Sequence, residues 1–184
     1  MSSPQSPTPG SVSGSGPDVR VRLARLDDQA ALAELDAAAW SPQSGFPSVI
    51  EAGKDQVRTF FNAENPPEAH LVAELDGMVV GYVRLKPPTP LPENAHVMYI
   101  AGIAVQPAAR GRGVAAALLA ASEQYALSYG ARKLSLRVLS TNQPAIRLYE
   151  RLGFEREGVL REEFCIEGNY VDDIAMAKLL ATAG

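Results

Sequence analysis

At 184 residues, 46% hydrophobic and 21% charged, the chain has the make-up of an ordinary globular protein and the length of one domain with a single substantial core. A net charge of −4 argues against non-specific nucleic-acid binding, which needs a basic face. One cysteine, Cys165, excludes an internal disulfide and any multi-cysteine metal site, and two histidines, His70 and His96, leave little for zinc, so no metal is expected.

Residues 1 to about 17 are Ser, Pro and Gly with almost nothing to bury, which predicts a disordered tail ahead of a single domain over 18–184. That N-terminus lacks a charged n-region and an apolar h-region, and no run of about 18 apolar residues follows it. The default expectation is therefore the cytoplasm, with no membrane or nucleic-acid partner. Val19–Leu23 alternates at period two and predicts a strand. Asp27 or Asp28 can cap the helix behind it, with Ala31, Leu32, Leu35 and Ala38 or Ala39 on its buried face. Trp40-Ser41-Pro42 breaks that helix, Gly45–Ile50 reads as loop, and a second helix is expected over Glu51–Phe61.

Ala69–Leu75 and Met78–Leu85 predict a hairpin, because Asp76-Gly77 between them suits a two-residue type I′ turn. After a stiff proline-rich loop, Ala95–Val105 is almost wholly apolar, as a central strand covered on both faces would be. A helix to about Tyr129 follows, with Val114, Leu118, Ala121 and Tyr125 on its stripe. Leu134, Leu136 and Val138 then lie at period two, completing a strand–helix–strand unit long enough for a parallel crossover. A further helix over Gln143–Leu152 turns Ala145, Leu148, Tyr149 and Leu152 inward. Two strands around Glu167-Gly168-Asn169 close the chain. The order β-α-α-β-β-β-α-β-α-β-β is that of a mixed α/β sandwich.

The centre of the chain is the stretch from Ile103 to Leu119, a strand end that passes through Gly111 and Gly113 into a helix. Glycines allow close backbone approach, the first helical N–H groups have no internal partner, and the helix dipole favours an anion there. Arg110 and Arg112 add guanidinium forks suited to phosphate. A P-loop fails, because Val114 follows Gly113 where Gly-Lys-Ser/Thr is required. Gly111-x-Gly113-x-x-Ala116 satisfies the dinucleotide fingerprint in letters. However, Gln106–Arg110 separates the strand from the first glycine, and the next strand ends at Leu139-Ser140-Thr141 with no acid for a ribose hydroxyl.

Arg110-Gly111-Arg112-Gly113-Val114-Ala115, preceded by Ile103-Ala104-Val105-Gln106-Pro107, resembles the Q/R-x-x-G-x-G/A signature of the GNAT superfamily of acyl-CoA N-acetyltransferases. Asn142-x-x-Ala145-x-x-Leu148-Tyr149-Glu150-x-x-Gly153-Phe154 is similar to the family's second signature, and the hairpin after Glu157 looks like that of small bacterial members acting on L-amino acids or polyamines. The resemblance covers roughly residues 19 to 180 and implies a GNAT-like mixed central sheet flanked by helices. It implies acetyl-CoA as co-substrate, with its pyrophosphate on the backbone N–H groups of Arg110, Gly111, Arg112, Gly113, Val114 and Ala115. The pantetheine arm would pair with the strand Ile103-Ala104-Val105, as an added strand does, and would also meet Asn142 and Ala145. Tyr149 falls on the position that protonates the leaving thiolate. A small-molecule amine partner follows, and dimers are frequent among such proteins.

Each residue also has a plainer reading. The glycines serve a tight turn, Arg112 is a solvated charge, Asn142 is only a helix cap, Tyr149 is packed core, and Cys165 is buried filler. The family's common base, a Glu on the central strand, is missing here, since Tyr99 stands there with Ala101 two further on. His96 and Glu93 are the nearby candidates, acting through water, and His96 has a purely structural reading as well. A lysine-like or polyamine amine near pKa 10.4 costs roughly 4 to 5 kcal/mol to deprotonate at neutral pH, an α-amine near 7.8 only about 1. A site without an evident strong base therefore suits an α-amine, such as that of an amino acid. A polyamine or protein N-terminal acetyltransferase, or an acyl-CoA-binding regulatory module without turnover, are the alternatives.

Overall fold

The structure is a computed structural model, and it describes residues 19–39 and 59–181. Along the chain come β1 (Arg20–Leu23), α1 (Gln29–Ala39), β2 (His70–Leu75), β3 (Met78–Lys86) and β4 (Val97–Val105). They are followed by α2 (Val114–Ser128), β5 (Lys133–Leu139), α3 (Gln143–Arg151), β6 (Glu155–Ile166) and β7 (Asn169–Leu179). The strands form one sheet in the order β1-β2-β3-β4-β5-β7-β6. Only the β4–β5 pair is parallel, as a crossover through α2 demands. Most of the expected second helix, the break at Trp40, the loop to Ile50 and the N-terminal tail lie outside the described residues, and residues 59–61 are not helical. No helix among the described residues is long and apolar enough to cross a membrane.

Local chemistry explains the elements. Asp76 and Gly77 both take positive φ, 51° and 79°, the I′ geometry whose twist suits a hairpin. Gly81 lets β3 approach α2 closely, since a Cβ there would meet Val114 Cγ1 at 3.0 Å. Asp28 accepts a bidentate pair from Arg22 at 2.8 Å and the backbone N–H of Arg25 at 2.7 Å, tying the entry of α1 to β1. It is buried, and the hydrogen bonds from Arg22 hold its carboxyl below the ordinary carboxylate value.

Apolar side chains pack on both faces of the sheet. Under α2 and α3, Val83, Ile100, Leu118, Leu119, Leu134, Ile146 and Met176 form the larger core; under α1, Leu32, Leu35, Phe61, Val72 and Ala104 form the smaller. The stripe of α2 is centred elsewhere than the apolar spacing predicts. Leu119, Ser122 and Ala126 are buried while Tyr125 is half-buried, because the Ser122 hydroxyl donates to the Leu118 carbonyl at 2.8 Å and so tolerates burial. On α3 the buried pair is Ile146 and Tyr149, leaving Ala145, Leu148 and Leu152 half-exposed. On α1, Leu32, Leu35 and Ala39 are buried, while Ala31 and Ala38 face solvent. Cys165 is exposed, not buried filler, because β6 is the sheet's outer edge and its residues lack a second covering layer.

Strand β4 departs most from expectation. Arg84 of β3 pairs with Gly102 while Leu85 pairs with Ile100, so Ala101 is an extra, bulged residue. On its other side β4 pairs with β5 only as far as Ile100 and Leu136, although the strands run on to Val105 and Leu139. Beyond that point the strands diverge, and Ala101, Gly102, Ile103 and Val105 are half-exposed where a doubly covered strand was expected.

Candidate active site

The divergence opens a cleft of about 1040 Å³ between β4 and β5, floored by α3 and closed at one end by the start of α2. β4 ends at Val105, a 3₁₀ turn spans Pro107–Ala109, and Gly111 and Gly113 take φ of 76° and 81°. Nothing lies within 4 Å of a Cβ built on either glycine, so the left-handed backbone rather than crowding calls for glycine. Gly113 is the N-cap of α2 and supplies no side chain to its first N–H groups, which leaves the helix start open to an anion.

Two side chains of the loop differ in what they do. Arg110 donates through Nη2 to the Ala39 carbonyl at 2.9 Å and through Nε to Val105 O at 3.3 Å, so it fastens the loop to the end of α1. Arg112 is exposed and makes no ion pair among the described residues. Of the residues expected around a cofactor, Ile103, Ala104, Val105, Arg110, Gly111, Gly113, Val114, Ala115, Asn142, Ala145 and Tyr149 all line the cleft, and Arg112 alone does not.

Asn142 caps α3, its side-chain oxygen accepting from Ala145 N at 3.3 Å, and its NH₂ group is left for other work at the cleft wall. Tyr149, about two turns along, is buried with its ring 5.8 Å from that of Phe154. Burial pushes its hydroxyl up to about 12, so it stays protonated at any working pH. At the other end of the cleft Tyr99 is half-buried beside Arg137, whose Nε lies 2.5 Å from buried Asp173. Glu93 and His96, by contrast, are exposed on the turn before β4 and do not line the cleft.

A second pocket, about 340 Å³, lies on the α1 face of the sheet and meets the cleft at Ala101 and Gly102. Asp36, Tyr82, Arg84 and His70 contribute to its walls, and the Tyr82 hydroxyl donates to Asp36. His70 Nδ1 is 2.9 Å from the Pro66 carbonyl, which assigns the proton to Nδ1; burial, aided by the charge of Arg84, keeps the ring below its ordinary pKa. Sequence reasoning did not single out these four. Their signal was present in Tyr82 and Arg84, polar groups two apart on an interior strand and so on one face.

Comparison with known proteins agrees with this geometry. Residues 30–154 match the model of the acetyltransferase (GNAT) family. An N-alpha-acetyltransferase of Sulfurisphaera tokodaii is 33% identical over 81% of this chain and 87% of its own length. The chain belongs to the GNAT acetyltransferase family. The L-amino acid N-acetyltransferase AaaT of Escherichia coli is 34% identical over 64% of this chain and 72% of its own. In fold, a putative acetyltransferase, yncA, from Salmonella typhimurium, solved with its cofactor acetyl-CoA, superposes with a TM-score of 0.70 at 22% identity, covering 91% of this chain and 96% of that one. The GNAT chain is thus an acetyl-CoA-dependent N-acetyltransferase, and the dinucleotide reading of its glycines falls.

Proposed function

We propose that this N-acetyltransferase moves the acetyl group of acetyl-CoA to the α-amine of an amino acid or a similar small molecule. The observation that carries the reading is the unpaired run of β4 beyond Ile100, leading into an uncapped helix start. Ile103 and Val105 would pair with the two amides of the pantetheine arm, the NH₂ group of Asn142 would hold the arm from the β5 side against Ala145, and the N–H groups from Arg110 to Ala115 would take the pyrophosphate. Arg112, exposed at the rim, would add charge without lining the cleft.

In the transfer the amine lone pair attacks the thioester carbonyl carbon, a tetrahedral centre forms, and the C–S bond breaks with its electron pair passing to sulfur. Tyr149 would donate the proton that the thiolate takes up, and the amine loses a proton to water. His96 and Glu93 would serve as bases only through intervening waters, because both stand outside the cleft. An α-amine is less basic than a lysine-like or polyamine nitrogen, even where a free amino acid's own carboxylate raises it above the value of a peptide N-terminus, and so makes the smaller demand on such a base. The names of two relatives, one an N-alpha-acetyltransferase and one an L-amino acid N-acetyltransferase, point the same way. The reading also puts the enzyme in the cytoplasm, where acetyl-CoA is at hand.

Thiol release from acetyl-CoA, screened over free amino acids, polyamines and N-terminal peptides, tests the proposal. Turnover on amino acids above the other classes supports it, and a clear polyamine preference refutes it.

A further inference from the structure

We propose that Arg84 reads the carboxylate of the acceptor, so that the pocket beneath α1 takes a free α-amino acid in preference to a peptide N-terminus or a polyamine. The inference rests on the α-amine reading above and deepens it.

Position comes first. The pocket of about 340 Å³ suits one small molecule, and it joins the larger cleft at Ala101 and Gly102. Arg84 is the direct cross-strand partner of Gly102, so its guanidinium springs from the backbone beside that junction. An acceptor held by Arg84 therefore sits where a thioester lying along β4 ends. In an α-amino acid a single carbon separates the carboxylate from the nitrogen, so anchoring the one places the other at the junction.

Charge comes second. The Arg84 guanidinium has five N–H donors in a fixed fork. Its Nη2 donates to the Glu64 carbonyl at 2.9 Å, while Nε is buried without a hydrogen-bond partner. Among the described residues no carboxylate pairs with Arg84, whereas Arg22 and Arg137 each have two and Arg156 has one. A neutral carbonyl does not offset the guanidinium charge, and a carboxylate accepting two parallel bonds would. On the α1 side of the same pocket the Asp36 carboxylate already accepts from the Tyr82 hydroxyl, so recognition of the acceptor's carboxylate rests on Arg84. A polyamine would bring a second ammonium against Arg84, and a peptide carries its carboxylate too far from its α-nitrogen to reach it.

The test compares L-amino acids, their primary amides and the corresponding decarboxylated amines as acceptors for the full chain, R84Q and R84K, varying the acceptor at saturating acetyl-CoA and, separately, acetyl-CoA at a fixed high level of the amide. The wild type is expected to prefer the acid to its amide by at least about tenfold in kcat/KM. R84Q should raise KM for the acid by about 10- to 100-fold, with the amide within about twofold and KM for acetyl-CoA unchanged. R84K, which keeps the charge and loses the fork, should fall between. The unchanged acetyl-CoA KM shows that the variant is folded, and a purely structural Arg84 would affect acid and amide alike. Equal use of acid and amide by the wild type, or an equal loss on both in R84Q, overturns the role of Arg84 while leaving acetyl transfer intact. If no amine releases thiol, the α-amine reading fails by itself, and calorimetric titration of the same acids and amides into the acetyl-CoA-loaded protein still decides the inference. Acid binding that is lost in R84Q upholds it; no preference for the acid sinks it.

Discussion

Tyr149 and Asn142 are each asked to be structural and chemical at once, and the two demands can be separated. The Tyr149 ring packs against Phe154, so Tyr149→Phe preserves the packing and removes only the hydroxyl. With its pKa pushed up to about 12, that hydroxyl is a proton donor across the working range. Tyr149→Phe is therefore expected to lower kcat by about 10- to 1000-fold, with stability within about 1 kcal/mol of the parent and acetyl-CoA affinity little changed; steady-state kinetics and thermal melts check both halves. A kcat equal to the parent's would make Tyr149 a core residue alone. The residues proposed to carry the reaction were legible through the resemblance of two short signatures, one holding Gly111 and Gly113 in a loop and one holding Asn142 and Tyr149 about two helix turns apart. Arg84 shows in the sequence only as a polar residue on the same strand face as Tyr82; nothing in a hairpin strand announces that its neighbour carries a bulge that brings it beside the cleft.

At the level of elements, helix α3 tests the same division. The Asn142 oxygen caps it, and its NH₂ group makes no hydrogen bond among the described residues. Asn142→Asp keeps the cap and replaces the donor with a second acceptor, so helix stability should hold within about 0.5 kcal/mol while KM for acetyl-CoA rises several-fold. Asn142→Ala should lose both, with about 1 kcal/mol of stability gone. Equal acetyl-CoA KM in Asn142→Asp and the parent would reduce Asn142 to a cap. Hydrophobic periodicity and turn chemistry located these elements well: Asp76-Gly77 placed the hairpin, and Gly130 and Gly153 marked helix ends. What periodicity could not give was the parting of β4 from β5. Beyond Ile100 strand β4 is wholly apolar, and an apolar run reads the same whether its edge is paired to a neighbour or left for a cofactor. Ser122 escaped for a related reason, since its burial depends on a hydrogen bond to its own helix.

At the scale of the whole molecule, His70 and Asp28, both buried and both with lowered pKa, respond to acid in separate windows. His70 has a folded pKa below its ordinary value of 6.5, so the unfolded chain binds the proton more readily. Its contribution is fully present above about pH 6.5 and is lost as pH falls from there towards the folded value. Asp28, held below its ordinary 3.8 by Arg22, contributes stability that is fully present above about pH 3.8 and is lost only as pH falls below it. Melting temperature should therefore fall between pH 7 and pH 5, and His70→Phe should flatten that interval without altering the steeper loss below pH 4; a slope unchanged by the substitution would remove His70 as its source.

The fold exists to hold one stretch of backbone open, from Ile103 on β4 to the first amides of α2. Amide hydrogen exchange with and without acetyl-CoA reads that stretch directly. Protection should rise at Ile103, Val105 and the amides of residues 111–116 when acetyl-CoA is added, with little change on β6. Unchanged exchange there, with protection gained elsewhere or nowhere, would contradict the account.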